Sequence, residues 1–161
     1  MLQVKVKRRA RVSELSQAED GRWLARLKSV ASRALIVWVV ILFLAVANGM
    51  LREAVLLPRL GTPAALLLSG SLLAALIIAV AYLSLPWLQI RRPVQLWAVG
   101  LGWLALTLVF EFAFGFWQGK SWSELLEAYS FRDGNIWPVV LAVTALAPCI
   151  AARLRGRVQR G

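Results

Sequence analysis

The chain has 161 residues, of which 60% are hydrophobic and only 17% charged, with a mean hydropathy of +0.67. A soluble domain carries about 25% charged and about 45–50% apolar residues, so this composition excludes a water-covered globule and makes lipid the solvent around most of the chain. The net charge of +11 does not argue for nucleic acid, because the basic clusters flank apolar stretches, where anionic lipid headgroups are their natural partners.

The sequence contains no His, which removes imidazole-based acid–base chemistry and His metal ligation from consideration. Cys149 is alone, so it forms no intramolecular disulfide and reads as a small buried hydrophobe. Nothing in the composition calls for a cofactor.

Residues 1–33 form a basic arm. VKVKRRARV alternates like a short strand or an extended arm. From Glu14 to Arg33, Leu15, Ala18, Trp23, Leu24, Leu27 and Val30 recur at approximately helical spacing among Arg22, Arg26, Lys28 and Arg33. This pattern predicts a surface helix along the headgroups, with Trp23 as an interfacial anchor. The arm's length and the full-length span after it fit a retained first helix better than a cleaved signal peptide.

The bundle proper is expected over residues 34–152. Its first span, ALIVWVVILFLAVANGML from Ala34 to Leu51, covers about 27 Å at 1.5 Å per residue, just enough for the hydrocarbon core. A short loop with Pro58, Gly61, Thr62 and Pro63 follows, in which Thr62 is placed to cap the next helix and Pro63 to open it. The second span, Ala64 to about Leu85, carries Gly70, Ala74, Ala75, Ala79 and Ala81, positions that let backbones approach in lipid. Pro86 and Trp87 mark its end, and Arg91, Arg92 and Pro93 form a basic turn. The third span runs from Val94 to about Trp117. Ser121 and Glu124 then have capping-box spacing, which predicts a short helix over Trp122 to Tyr129. Trp122, Leu125, Leu126 and Tyr129 are expected to face the membrane surface. The fourth span starts near Ile136 with Trp137 and Pro138 and continues to about Ala152, with Pro148 expected to kink its end. Residues 153–161 are a basic tail.

The reading is therefore an all-α, four-helix transmembrane bundle with a short outer interfacial helix between its third and fourth spans. Fifteen of the nineteen Lys and Arg fall in the arm, the 91–92 turn and the tail, leaving Arg52, Arg59, Lys120 and Arg132 on the other side. The positive-inside rule places both termini in the cytoplasm.

Glu111 is the most informative polar residue, because a carboxylate about 9 Å inside a span must be paired, protonated or wetted. Arg52 and Glu53 reach the same depth from the first span, and Asn48 lies one turn deeper than Arg52 on one face. These positions predict an Asn48–Arg52–Glu111 cluster. Thr107, Glu111 and Gly115 form one stripe, flanked by Phe110, Phe112, Phe114 and Phe116. Two readings are open: a polar pocket with Glu111 as a proton or cation site, or an Arg52–Glu111 brace between two helices. Ser69, Ser71 and Ser84 lack a base, which argues against a serine nucleophile. Nothing in the spacing of Glu53, Glu111, Glu124 and Glu127 selects a metal. Of the eight Trp residues, Trp38, Trp87, Trp97, Trp117, Trp122 and Trp137 fall near interfaces, with Trp87, Trp122 and Trp137 the expected anchors; Trp103 lies deeper and is assigned to the bundle core.

NGMLREAVLLPRLG, followed by FEFAFG, SWSELLEAY and GNIWP, resembles a group of small uncharacterised bacterial four-span inner-membrane proteins over most of residues 48–138. The resemblance implies a multi-pass protein of the bacterial inner membrane and draws attention to Asn48, Arg52, Glu53, Glu111, Trp122 and Trp137. It implies no activity. Three functions fit the residues: transport or permeation of a small solute or ion through a homo-oligomer, a non-catalytic accessory or assembly subunit of a larger membrane complex, or a membrane enzyme acting on lipid or an envelope precursor. The last is weakest, because no nucleophile constellation supports it.

Overall fold

The computed structural model describes residues 2–90, 92–127, 129–131 and 134–156, with side chains from Leu27 onward. The side chain of Trp23 therefore lies outside the described residues, as do Arg91, Arg132 and residues 157–161 of the basic tail. The protein is all-helical, an integral membrane protein with four helices long and apolar enough to span a bilayer, at Leu27–Leu60, Thr62–Leu88, Pro93–Trp117 and Trp137–Leu154.

Helix α1 runs unbroken over Leu2–Leu51, so VKVKRRARV is helical rather than a strand and no break separates the arm from the first span. The span also outlasts its predicted end. A π turn, Arg52–Leu56, carries the chain into α2, Leu57–Leu60, and the expected loop shrinks to Gly61. Pro58 is tolerated because the chain widens just before it: the Leu57 N–H reaches the Arg52 carbonyl, five residues back. Wider spacing relieves the clash that a proline ring makes with the carbonyl four residues earlier. Gly61, at φ 74° and ψ 170°, then reverses the chain. That conformation favours a residue without Cβ.

Helix α3, Thr62–Leu88, takes Gly61 rather than Thr62 as its N-cap and runs through Pro86. Its buried face is spaced by four, with Ala65, Ser69, Leu73, Ile77, Ala81 and Leu85 in one column. Of the small residues expected at the contact face, Ala81 is buried and Gly70 makes room for the Ile136 side chain, whereas Ala75 and Ala79 are exposed. Helix α4, Pro93–Trp117, opens with Pro93 at its first position, and the Gln95 side chain accepts from the Arg92 N–H at 3.2 Å.

Helix α5, Trp122–Glu127, is shorter than the sequence suggested but starts as its capping box requires. The Ser121 N–H and hydroxyl donate to Glu124 Oε2 at 2.6 and 2.8 Å. These donors, the backbone N–H first, hold the Glu124 carboxyl below its ordinary value of 4.5.

Helix α6, Trp137–Leu154, stays helical through Pro148, so its final turns do not unwind there. It packs against both α3 and α4, while α1 packs on α3 and touches α4. Helix α6 can approach α4 closely because Gly100 faces it: a Cβ built there would stand 1.9 Å from the Ala145 carbonyl oxygen. Trp103, 1% exposed, completes this half of the core, its indole N–H donating to the Ala34 carbonyl at 2.8 Å.

Candidate functional site

The half of the bundle away from the termini is hollow. A cavity of about 650 Å³ reaches from Leu57, Thr62 and Lys120, at the connections between helices, down to Leu42 and Thr107 within the spans. Asn48, Arg52, Glu53, Thr107 and Glu111 all line it. Thr107, Glu111 and Gly115 of α4 line it together with Phe110, Phe112 and Phe114.

The bonding within the cluster differs from the expected one. Arg52 does not brace Glu111; its Nε and Nη2 donate to Glu53 Oε1 at 3.2 and 3.1 Å. Adjacent residues reach each other here because Arg52 and Glu53 open the π turn, which widens the helix at that point. Glu111 Oε2 instead accepts from the Tyr129 hydroxyl at 3.1 Å and from Trp137 Nε1 at 2.9 Å. Both partners are neutral donors, so they orient the carboxylate without neutralising it.

Tyr129 and Trp137 are the site residues that spacing alone did not assign. Tyr129 was expected on the membrane surface, but it turns inward, stacked on Phe112 with ring centroids 5.9 Å apart. Leu125 also turns inward and occupies the space that a side chain at Gly115 would need. Trp122 and Leu126 are the members of α5 that stay outward. Burial, then the charge and hydrogen bond of Glu111, push the Tyr129 phenol well above its ordinary value, so it remains a donor at any physiological pH. Trp137, expected as an interfacial anchor, gives its N–H to Glu111 at the start of α6. The signal for both was present in their chemistry: each ring has a polar tip that must find a partner when the ring is enclosed. Trp87 sits exposed at the opposite end, with Arg33 over its ring at 5.7 Å and on its carbonyl at 2.9 Å.

Asn48 is 6% exposed. Its Nδ2 donates to the Ser69 Oγ at 2.8 Å and to the Ser69 carbonyl at 3.2 Å. Ser69 is therefore the partner that holds Asn48, a role its sequence context did not reveal. The other amide atom, Asn48 Oδ1, is buried with no donor. At the inner end of the cavity, Trp38 Nε1 donates to the hydroxyl of the lining residue Thr107 at 3.1 Å and ties α1 to α4. Glu53, Glu111, Glu124 and Glu127 do not gather into a metal-binding group; among the described residues no set of three carboxylates or thiols does.

No protein-family model matches the chain, and no curated protein or solved structure resembles it closely enough to be reported as similar.

Proposed function

We propose that the protein is a small permeation or transport protein of a bacterial inner membrane, which admits a small polar solute or ion to its cavity from the side opposite the termini and works as a homo-oligomer. One observation carries this reading: the polar residues that interrupt the apolar spans, Asn48, Thr107 and Glu111, line a single cavity.

The distribution of Lys and Arg supports an outward-facing mouth, because the large basic clusters lie at the other end. The Trp38–Thr107 bond ties α1 to α4 at the inner end of the cavity, and passage through the bundle would part the two helices there. The homo-oligomer in this reading is most simply a symmetric dimer, the commonest assembly of identical chains.

The test is reconstitution into vesicles, followed by swelling or pH-dye measurements under gradients of protons, glycerol and ethylammonium chloride. At least one solute should cross faster than in empty vesicles, and Glu111→Gln should abolish the difference while the purified protein stays monodisperse. Equal rates with and without protein for every solute refute the proposal.

A further inference from the structure

We propose that the cavity also opens sideways to the bilayer, between α1 and α4, and admits an acyl chain of a phospholipid from the leaflet opposite the termini, with the phosphate at Lys120. The inference goes beyond the permeation reading and does not depend on it. Its first support is where α1 and α4 touch. The bonds between them, Trp103 to Ala34 and Trp38 to Thr107, lie at or below the inner end of the cavity. Beyond Trp38, the continuation of α1 through Arg52–Leu56 and Leu57–Leu60 packs on α3. The facing edges are Val46 and Gly49 on α1 and Phe110 and Phe114 on α4, all of which line the cavity. Val46 and Phe114 are also 48% and 43% exposed, and nothing lies within 4 Å of the position a Cβ would take at Gly49. Residues that line a cavity and also stand open on a lipid-facing surface are the lips of a slot.

The second support is depth and wall chemistry. Along α4 the lining runs from Gln118 to Thr107, a separation of eleven residues, or about 16 Å at 1.5 Å each. One leaflet supplies about 15 Å of a hydrocarbon core about 30 Å thick, so the cavity is as deep as one leaflet's chains. Its slot side is carbon. Leu42, Ala45 and Val46 of α1 lie there with Phe110 and Phe114, whose rings stack with centroids 5.6 Å apart. The polar groups are turned elsewhere: Glu111 to Tyr129 and Trp137 on the α6 side, Asn48 to Ser69 of α3, and Thr107 to Trp38.

Width identifies the occupant. A helix with its side chains is about 10–12 Å across, too broad to enter a space of about 650 Å³ inside the bundle. A second copy of the chain could therefore cover the slot but not fill it, whereas a single acyl chain is slender enough to do so. Carbon walls in contact with liquid hydrocarbon gain dispersion contacts when a chain fills the gap between them. At the mouth, Arg52 is engaged by Glu53, and Lys120 stands exposed. An ammonium there suits a phosphate as a point charge, which places the headgroup at the mouth and the chain below it.

The experiment uses the full-length protein in phosphatidylcholine nanodiscs doped with phosphatidylcholine that carries a photoreactive diazirine midway along one chain. After illumination, adducts are mapped by mass spectrometry. They are expected at Leu66 and Ile136, which line the cavity behind the slot, as well as at Leu68, which is 50% exposed. Gly49→Phe puts a ring into the slot where no atom stands in its way, and should abolish the adducts at Leu66 and Ile136 while Leu68 stays labelled. Diacylglycerol with the same chain has no phosphate for Lys120 and should label the two interior residues at least about tenfold less. Adducts confined to outward residues, interior adducts that survive Gly49→Phe, or equal interior labelling by diacylglycerol overturns the assignment. The comparison of the two probes uses the unaltered protein, so it stands even where the variant fails to fold. Disulfide-linked dimers of Val46→Cys in a Cys149→Ala background, without interior adducts, make the slot an interface between copies and also overturn it. Interior labelling without solute passage refutes permeation and keeps the lipid site, and passage without interior labelling does the reverse.

Discussion

Gly100→Ala and Gly102→Ala place the same methyl group two residues apart on α4 and should have opposite outcomes. At Gly100 the added Cβ would stand 1.9 Å from the Ala145 carbonyl oxygen, 2.9 Å from its carbon and 3.4 Å from Pro148 Cδ. The obstacle is backbone inside α6, which cannot rotate away as a side chain would. Reaching even a 3.0 Å separation moves the two helices apart by about 1 Å, which opens the interface around Trp103 and α6. Overpacking of this kind costs about 1–3 kcal/mol, occasionally more, against a gain of up to about 1 kcal/mol from replacing Gly by Ala in a helix. The net loss should be about 1 kcal/mol. For a chain of this length that corresponds to a fall of roughly 2–4 °C in melting temperature. At Gly102 nothing lies within 4 Å, so only the helix term operates and the melting temperature should hold or rise. Both variants are compared by thermal unfolding in one mild detergent, followed by size-exclusion chromatography. A Gly100→Ala protein that melts with the parent, or a Gly102→Ala protein that falls as far, refutes the close contact between α4 and α6.

Ser69→Ala should lower stability by about 0.6 kcal/mol, a typical value for side-chain hydrogen bonds in membrane bundles, because Asn48 Nδ2 keeps the Ser69 carbonyl as a second acceptor; unfolding in mixed micelles measures it, and a loss above about 2 kcal/mol contradicts that fallback. Trp38→Phe removes the bond that ties α1 to Thr107 at the inner end of the cavity, at a cost of about 0.6–1.7 kcal/mol, and on the permeation reading should raise solute leak through reconstituted protein; an unchanged leak places the barrier elsewhere. At the mouth, the start of α5 should be pH-dependent. Glu124 has a depressed folded value, so its stabilising contribution is fully present above 4.5 and is lost as pH falls through the lower folded value. The Ser121 amide proton resonance should titrate with a midpoint below 4.5, and Glu124→Gln should abolish that titration.

The four spans were legible because the membrane imposes a simple requirement: long apolar stretches with few charges. Ends were less legible. Arg52 and Pro58 look like terminators, yet the π turn at Arg52–Leu56 absorbs both and carries the first span on to Leu60. Pro148 looked like a residue that would kink or unwind the end of α6, yet it is buried inside a helix that continues to Leu154. The cavity lining could be read from helical spacing, which brought Asn48, Arg52, Glu53, Thr107 and Glu111 to one place. Their partners could not. Salt-bridge reasoning paired Glu111 with Arg52, whereas neighbouring Glu53 captures Arg52 and two aromatic tips take Glu111. Choice among partners at the same depth depends on side-chain direction, which helical spacing constrains only to a face. Trp38 and Trp137 show the same limit. Their positions near the ends of spans suggested lipid anchors, but each indole N–H is used inside the bundle.

These bonds divide the bundle into two unlike halves. Near the termini, α4 meets α6 at Gly100, and Trp103 is bonded to the α1 backbone; this half is closely packed. Beyond Thr107 the same helices surround open space, where Glu111 of α4 meets Trp137 of α6. The α4–α6 connection supplies Leu125 against Gly115 and Tyr129 against Glu111. Movement of that short segment therefore changes both the mouth and the orientation of the carboxylate, while the packed half keeps the helices in register. A ligand that draws Glu111 away from the Tyr129 hydroxyl would release one of the contacts that hold α5 down. On the permeation reading, ligand binding and opening of the mouth would be coupled through this one carboxylate, and such a coupling acts equally in both directions.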